Sequence, residues 1–274
     1  MDSLFCCPLC GGTLQVTDSA YLCTHRHTFD RAAKGYVNLL PPNRKNSKEP
    51  GDDIDSLRAR QRFLNAGFYA PLAERIAALA AEYCPQNAAV LDCCCGEGYY
   101  TRVLRRKLTD EGKTPRCAAF DIARTGVRYA ATRSDPTEYA VAGVFHIPAA
   151  SERFDLALLC FAPYCDTELT RILKPNGVLL RVLPGKRHLF ALKELLYDSP
   201  YENDEAGDPV SVLKREAVHR VQSTIRLNSA QAVDLLAMTP YAYRTDPAAM
   251  ARLQQITTLE TEIDFLIECF RKPT

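Results

Sequence analysis

The chain has no apolar run approaching the ~20 residues that a membrane-spanning helix requires, which excludes an ordinary transmembrane protein. It has no excess of one charge either. Lysine and arginine number 34 against 33 aspartates and glutamates, for a formal net charge of +1. No global field therefore draws it to nucleic acid, and any such contact must come from a local patch. Residues Met1 to Phe5 lack the basic segment and apolar stretch of a secretion signal. There is no internal repeat and no low-complexity segment. At 274 residues, 47% hydrophobic and 24% charged, the chain has room for one main domain and a small appendage. Seven of its twelve cysteines gather in the first 25 residues and at 93–95 instead of spreading as a disulfide framework. That distribution predicts a reduced, cytoplasmic protein with a metal site.

Cys7 and Cys10 form a C-x2-C knuckle followed by Gly11, and Cys23 and His27 supply a C-x3-H pair. Four such ligands in two close pairs fit a tetrahedral structural Zn2+ with no open position for catalysis. A segment this short buries little core, so the metal would drive its folding. On spacing alone Cys6 competes with Cys7, and His25 with His27. From Arg26 to Lys48, six basic residues (Arg26, Arg31, Lys34, Arg44, Lys45, Lys48) face one acid, Asp30, with Phe29 and Tyr36 between them. Such a segment suits RNA phosphates and stacked bases, although Pro41 to Pro50 reads better as a solvated linker.

The centre of the chain is Val90-Leu-Asp92-Cys-Cys94-Cys-Gly96-Glu97-Gly98-Tyr-Tyr-Thr101. Ala88 to Asp92 reads as a buried parallel strand, and Tyr99 to Leu108 repeats apolar residues as a helix does. Between them lies a tight small-residue turn where a ligand can approach the backbone. Neither a G-x-G-x-x-G loop nor a Gly-Lys-Ser/Thr loop is present. The segment instead resembles the first motif of the Rossmann-like S-adenosylmethionine (SAM, S-adenosyl-L-methionine)-dependent methyltransferases, D-x-G-x-G-x-G, with Cys94 in place of the first glycine. Arg116 to Asp121 reads as the second strand. Asp121, 29 residues beyond Asp92, can accept both ribose hydroxyls of an adenosine, and it can also cap a helix starting near Ala123. Further strands are expected at 139–142, 154–160, 178–183, 218–227 and 257–270. Helices are expected near Ser56, over 71–83, after Asp166 or Thr167, up to Tyr197, and from a Ser229 cap to Ala237.

The order of these motifs resembles that of the bacterial large-subunit (23S) ribosomal RNA guanine-N1 methyltransferases that carry an N-terminal zinc finger. The resemblance rests on Cys-Pro-Leu-Cys (7–10), Cys-x3-His-x-Phe-Asp (23–30), Gly-Tyr-Val-Asn-Leu-Leu-Pro (35–41) and Pro-Gly-Asp (50–52). It continues through Ala-Arg-x-x-Phe-Leu-x-Ala-Gly-x-Tyr (59–69), Cys-Gly-Glu-Gly-Tyr-Tyr-Thr (95–101), Ala-Pro (162–163), Pro-Gly-x-Arg-His-Leu (184–189) and Met-Thr-Pro (238–240). It implies an α/β fold: a Rossmann-like class I SAM-dependent methyltransferase of seven strands, whose last two form an antiparallel edge hairpin, with a small zinc-binding module. The expected divisions are 1–40 for that module, 41–85 for a linker and bridging helices, and 86–274 for the methyltransferase domain. The resemblance also implies zinc on Cys7, Cys10, Cys23 and His27, and cofactor contacts from Tyr69, Gly96, Glu97 and His188, beside Asp92, Gly98 and Asp121 of the two strand ends. It implies that the zinc module recognises ribosomal RNA, and it allows a homodimer. Attack by guanine N1 requires loss of its proton, for which Asp155, Asp166 and Glu97 are carboxylates of interest. Of these, Asp155 at a strand start reads as structural. The loop Phe161-Ala162-Pro163-Tyr164 leaves the fourth strand where a target base would sit.

Overall fold

The computed structural model describes residues 1–42, 53–132, 135–205, 210 and 212–274. Arg44, Lys45 and Lys48 of the basic segment, and the Pro50-Gly51-Asp52 motif, lie outside the described residues.

The N-terminal module is a four-stranded antiparallel sheet in sequence order: β1 (Asp2–Cys6), β2 (Thr13–Val16), β3 (Ala20–Cys23) and β4 (Thr28–Asp30). A fifth strand, β5 (Val37–Asn38), leaves the module and joins the large sheet, pairing in parallel with β8 (Glu138–Val141). The large sheet therefore has eight strands, one more than the seven expected. Its other members are β6 (Ala89–Cys93), β7 (Arg116–Asp121), β9 (Phe154–Cys160), β10 (Leu173–Pro184), β11 (Lys214–Leu227) and β12 (Leu259–Arg271). Their order is β11-β12-β10-β9-β6-β7-β8-β5. The β10–β12 and β11–β12 pairs are antiparallel, which is the expected late hairpin. The remaining pairs are parallel. The near-continuous apolar runs of β6, β7 and β9 follow from burial on both faces.

Helices α1 (Ile54–Asn65), α2 (Ala70–Tyr83), α3 (Tyr99–Asp110) and α4 (Arg124–Ala131) precede or alternate with the first strands. They are followed by α5 (Asp166–Ile172), α6 (Phe190–Leu196), α7 (Ser229–Ala237) and α8 (Pro247–Gln255). Asp53 caps α1 through bonds from the Asp55 and Ser56 amides, and Pro71 occupies the first turn of α2. The cap of α7 is Asn228 and not Ser229: its side chain accepts the Gln231 amide while the Gln231 side chain accepts the Asn228 amide, a reciprocal box. Helix α8 follows a short 3-10 turn, Pro240–Arg244, and has no counterpart among the sequence expectations. No helix among the described residues is long and apolar enough to cross a membrane.

The two faces of the sheet are covered differently. On one, residues of α2, α3, α6, α7 and α8 share a core cluster with Val90, Leu156, Leu158, Leu180 and Val182. On the other, Leu91, Phe120, Ala157 and Leu159 meet α5 and also Leu4, Phe5, Leu14 and Tyr21 of the N-terminal module. The β8-to-β9 connection (142–153) contains no helix, and the module covers the sheet beside it. The Cys6 amide donates to the Pro148 carbonyl at 2.7 Å. Arg116 joins the Asp2 carbonyl to the carboxylate of Glu138, which also accepts from Ser3 and Leu4. The module is thus part of the core.

Candidate functional site

Chain order reverses between β6 and β9: β7 and β8 lie to one side of β6, β10 and β12 beyond β9. The crevice beyond the carboxyl ends of these two strands is where open α/β sheets take ligands. Two loops border it, 93–98 after β6 and 161–165 after β9.

Three residues of the first loop have positive φ: Cys94 (+61°), Gly96 (+54°) and Gly98 (+78°). The departure from the glycine motif therefore falls on a position that does adopt the left-handed conformation, which costs an L-residue roughly 1–2 kcal/mol. Gly98 caps α3, and a Cβ on it would lie 2.9 Å from the Ala130 Cβ. Asp121 shapes the loop from the adjacent strand end. One oxygen accepts the Gly96 amide at 2.8 Å and the other the Ala123 amide at 2.7 Å. Asp121 does not cap α4 (Arg124–Ala131): the amide it accepts belongs to Ala123, the N-cap residue itself, and the helix has no side-chain cap. Asp92 is buried and accepts the Thr101 hydroxyl at 2.5 Å. Burial, with the Asp121 charge nearby, raises its pKa to about 7 against the opposing Thr101 bond. Glu97 is buried within the turn.

Tyr69 and His188, far apart in sequence, meet in the interior: the phenol oxygen lies 3.3 Å from His188 Nε2. Both pack on Phe265, with ring centroids 4.9 and 4.5 Å away, and Phe265 in turn lies 5.6 Å from Phe161 of the second loop. Tyr69 sits at the start of α2 and packs into the core, as an aromatic at a helix start does, whereas a histidine just ahead of a helix would ordinarily face solvent. Tyr69 is buried, and His188, at 7% exposure, does not face solvent. Gly185 permits the turn before His188, because a Cβ on it would come within 2.3–2.5 Å of the Asp264 carboxyl group. Asp264 is in turn gripped by Arg220. Phe265 and Asp264 were legible only as alternating positions of the last strand.

Of the three carboxylates of interest for the guanine proton, Asp155 accepts the Ala89 amide and Lys174 Nζ, both at 2.8 Å, at the strand end away from the crevice. Its role is structural. Asp166 begins α5 beside the crevice. Phe161 is 44% exposed with φ +53°, and the Tyr164 hydroxyl is engaged by Arg181 at 3.1 Å.

In the N-terminal module one ligand atom from each of Cys7, Cys10, Cys23 and His27 lies within 4.8 Å of the others. Cys10 Sγ is 3.4 Å from Cys23 Sγ, and Cys7 Sγ is 3.4 Å from His27 Nδ1, close to the edges of a tetrahedron with ~2.3 Å bonds. Cys6 is outside this group, and His25 Nδ1 lies 3.4 Å from Cys10 Sγ without joining the four. Desolvation raises the Cys23 thiol, but the His25 amide and the neighbouring His27 and cysteines outweigh it and hold the thiol below the ordinary range. The aromatics of the basic segment are not base platforms. Tyr36 is 5% exposed and its hydroxyl receives Arg124 Nε, and Phe29 packs against the core.

Residues 5–48 match the family described as the RlmA N-terminal zinc ribbon, and residues 90–177 match the methyltransferase domain family. A 23S rRNA (guanine(748)-N(1))-methyltransferase of Streptomyces fradiae is 35% identical over 90% of this chain and 88% of its own. A Bacillus subtilis (strain 168) protein provisionally named as a 23S rRNA (guanine-N(1)-)-methyltransferase is 30% identical over 96% of this chain and 95% of its own. Among solved structures, a provisionally named methyltransferase from Bacillus halodurans C-125 aligns with a TM-score of 0.50 at 16% identity. The alignment covers 72% of this chain and 99% of that one, a likeness of fold.

Proposed function

Because the chain belongs to the 23S rRNA (guanine-N1)-methyltransferases, an enzyme family that moves a methyl group from SAM to N1 of a guanine, we propose how its residues divide that work. Tyr69, Asp92, Gly96, Glu97, Gly98, Asp121 and His188 hold the cofactor, and Cys7, Cys10, Cys23 and His27 hold a structural zinc. The observation that carries the cofactor assignment is the left-handed turn at Gly96, pinned by Asp121, at the point where strand order reverses.

When bound, SAM supplies a methyl group already activated on its sulfonium. The protein's own residues position and desolvate the partners. The Asp264 amide donates to His188 Nδ1 at 3.2 Å, so the neutral ring carries its proton on Nε2 and donates it to the Tyr69 oxygen. That arrangement leaves the Tyr69 proton to donate to the cofactor. Asp121 offers its outer lone pairs to the ribose. Phe161 stands at the mouth between the cofactor side and solvent, placed to lie against the target base. No general base is assigned.

The zinc module (1–40) serves the ribosomal RNA, with Arg26, Arg31 and Lys34 among its cations. The segment 41–85 connects it to the catalytic unit (86–274). We place the enzyme in the cytoplasm, consistent with twelve free thiols. We also assign it a homodimeric working form, for which β11 offers a 14-residue strand at the sheet edge. Light scattering tests the dimer. The activity is tested by incubating zinc-loaded protein with methyl-labelled SAM and unmodified 23S rRNA, then digesting to nucleosides. Label in 1-methylguanosine is expected, and label in any other nucleoside overturns the assignment.

A further inference from the structure

We propose that Arg60 receives the carboxylate of the methionine tail of SAM. The proposal rests on the reading that the Gly96 loop holds this cofactor. The tail carries an ammonium and a carboxylate, and the carboxylate requires a cation or a set of donors. The side chains surrounding the loop are acids: Asp92, Glu97 and Asp121 are all buried there. They suit the ribose and the positive groups of the cofactor and repel its carboxylate.

Arg60 stands on α1, outside the sheet, and reaches back over the turn. Its Nη2 donates to the Met238 carbonyl at 3.3 Å, which fixes the guanidinium plane. Its Nη1 faces the loop: a Cβ on Gly96 would lie 3.4 Å from it. That is van der Waals contact distance, so the guanidinium stands directly over the turn at Gly96. The charge of Arg60 also reaches the Tyr69 and Tyr100 hydroxyls. Its positive charge is therefore felt at both the loop and Tyr69. A guanidinium presents a planar fork of donors that matches a carboxylate, and at a half-buried position the pair is only partly screened. Two segments distant in sequence, Ala59-Arg60 and Met238-Thr239-Pro240, come together in this contact.

The test is calorimetric binding of SAM and of its decarboxylated analogue, which keeps the sulfonium, ribose and adenine, to wild type and R60Q. R60Q is expected to lose roughly 10- to 100-fold for SAM, the size of a lost charge-assisted hydrogen bond, and little for the analogue. The preference of wild type for SAM over the analogue then collapses in the variant. A preference unchanged in R60Q overturns the proposal. Should R60Q fail to fold, R60M, which keeps the apolar stem, is read by the same ratio. A wild type that binds neither compound overturns the cofactor reading itself, and this proposal with it.

Discussion

The Tyr69 hydroxyl lies 3.3 Å from His188 Nε2, and the other ring nitrogen of His188 accepts the Asp264 amide at 3.2 Å. The ring is therefore committed on both sides as a neutral imidazole. Burial is the main cause that lowers its pKa from 6.5 to about 3, with Asp264 opposing and Lys193 assisting. The unfolded chain takes up a proton below pH ~6.5, and the native chain does not until about pH 3. The stabilisation is therefore complete above pH 6.5 and is lost as pH falls through that window. Between pH 7 and pH 5 the loss from this residue comes to about 2 kcal/mol, at 1.36 kcal/mol per pH unit. Urea unfolding at the two pH values should show H188Q losing about 2 kcal/mol less than wild type. Equal losses would mean that the ring is charged, or solvated, in the native state.

Cys94 tests how far the cofactor loop departs from its motif. Its φ of +61° is glycine-like, so C94G relieves strain while giving up a partly buried thiol. The two terms nearly cancel, and stability is expected to change by less than about 1 kcal/mol. C94V places a β-branched side chain in the same conformation and should cost more than about 2 kcal/mol. Thermal melts of both variants decide. Equal effects would show that the loop tolerates any backbone angle at this position.

The parts of the fold that read clearly were those with strong local signals. β7 and β9 run over the expected residues, and α3 begins at Tyr99 as expected, because buried strands and amphipathic helices carry their period in the chain. The strands of the zinc module, only 3–5 residues long and broken by turns, carry no such period. β5 was hidden for another reason. Two residues cannot announce a strand, and Val37 joins the sheet only because the module docks beside β8. The site divides in the same way. Gly96, Gly98 and Asp121 belong to a local motif, whereas the meeting of Tyr69 with His188, and of Arg60 with Gly96, is tertiary and leaves no trace in spacing. Tyr36 misled because an aromatic among cations looks like an RNA platform until its burial is known.

The docking of the module also changes what zinc removal should do. Leu4, Phe5, Leu14 and Tyr21 share a core cluster with Leu91, Ala118, Phe120 and Ala157. Chelation should therefore lower the melting temperature of the whole chain and weaken SAM binding. A separable appendage would leave SAM affinity intact, and calorimetry before and after chelation distinguishes the two. Within the module, H27A should release zinc to a chromophoric chelator. H25A, whose ring touches Cys10 from outside the four ligands, should weaken zinc binding by a smaller factor.

A buried ion cluster lies under the second loop of the crevice. Glu268, 2% exposed, accepts Arg181 Nε at 2.8 Å and Arg215 Nη1 at 3.0 Å. Arg181 donates Nη1 to the Tyr164 hydroxyl at 3.1 Å and lies over the Tyr164 and Phe270 rings. E268Q keeps the shape but removes the buried carboxylate charge that Arg181 and Arg215 share, which should cost about 3 kcal/mol. The double variant R181M/E268L removes both charges and should recover most of that stability. It does not restore the bond to Tyr164. If Arg181 positions the Phe161–Tyr164 loop for the acceptor, the double variant should show a raised KM for rRNA with an unchanged Kd for SAM. Denaturation curves and separate titrations of the two substrates read these quantities independently. A stable double variant with wild-type KM for rRNA would assign the cluster to the core alone.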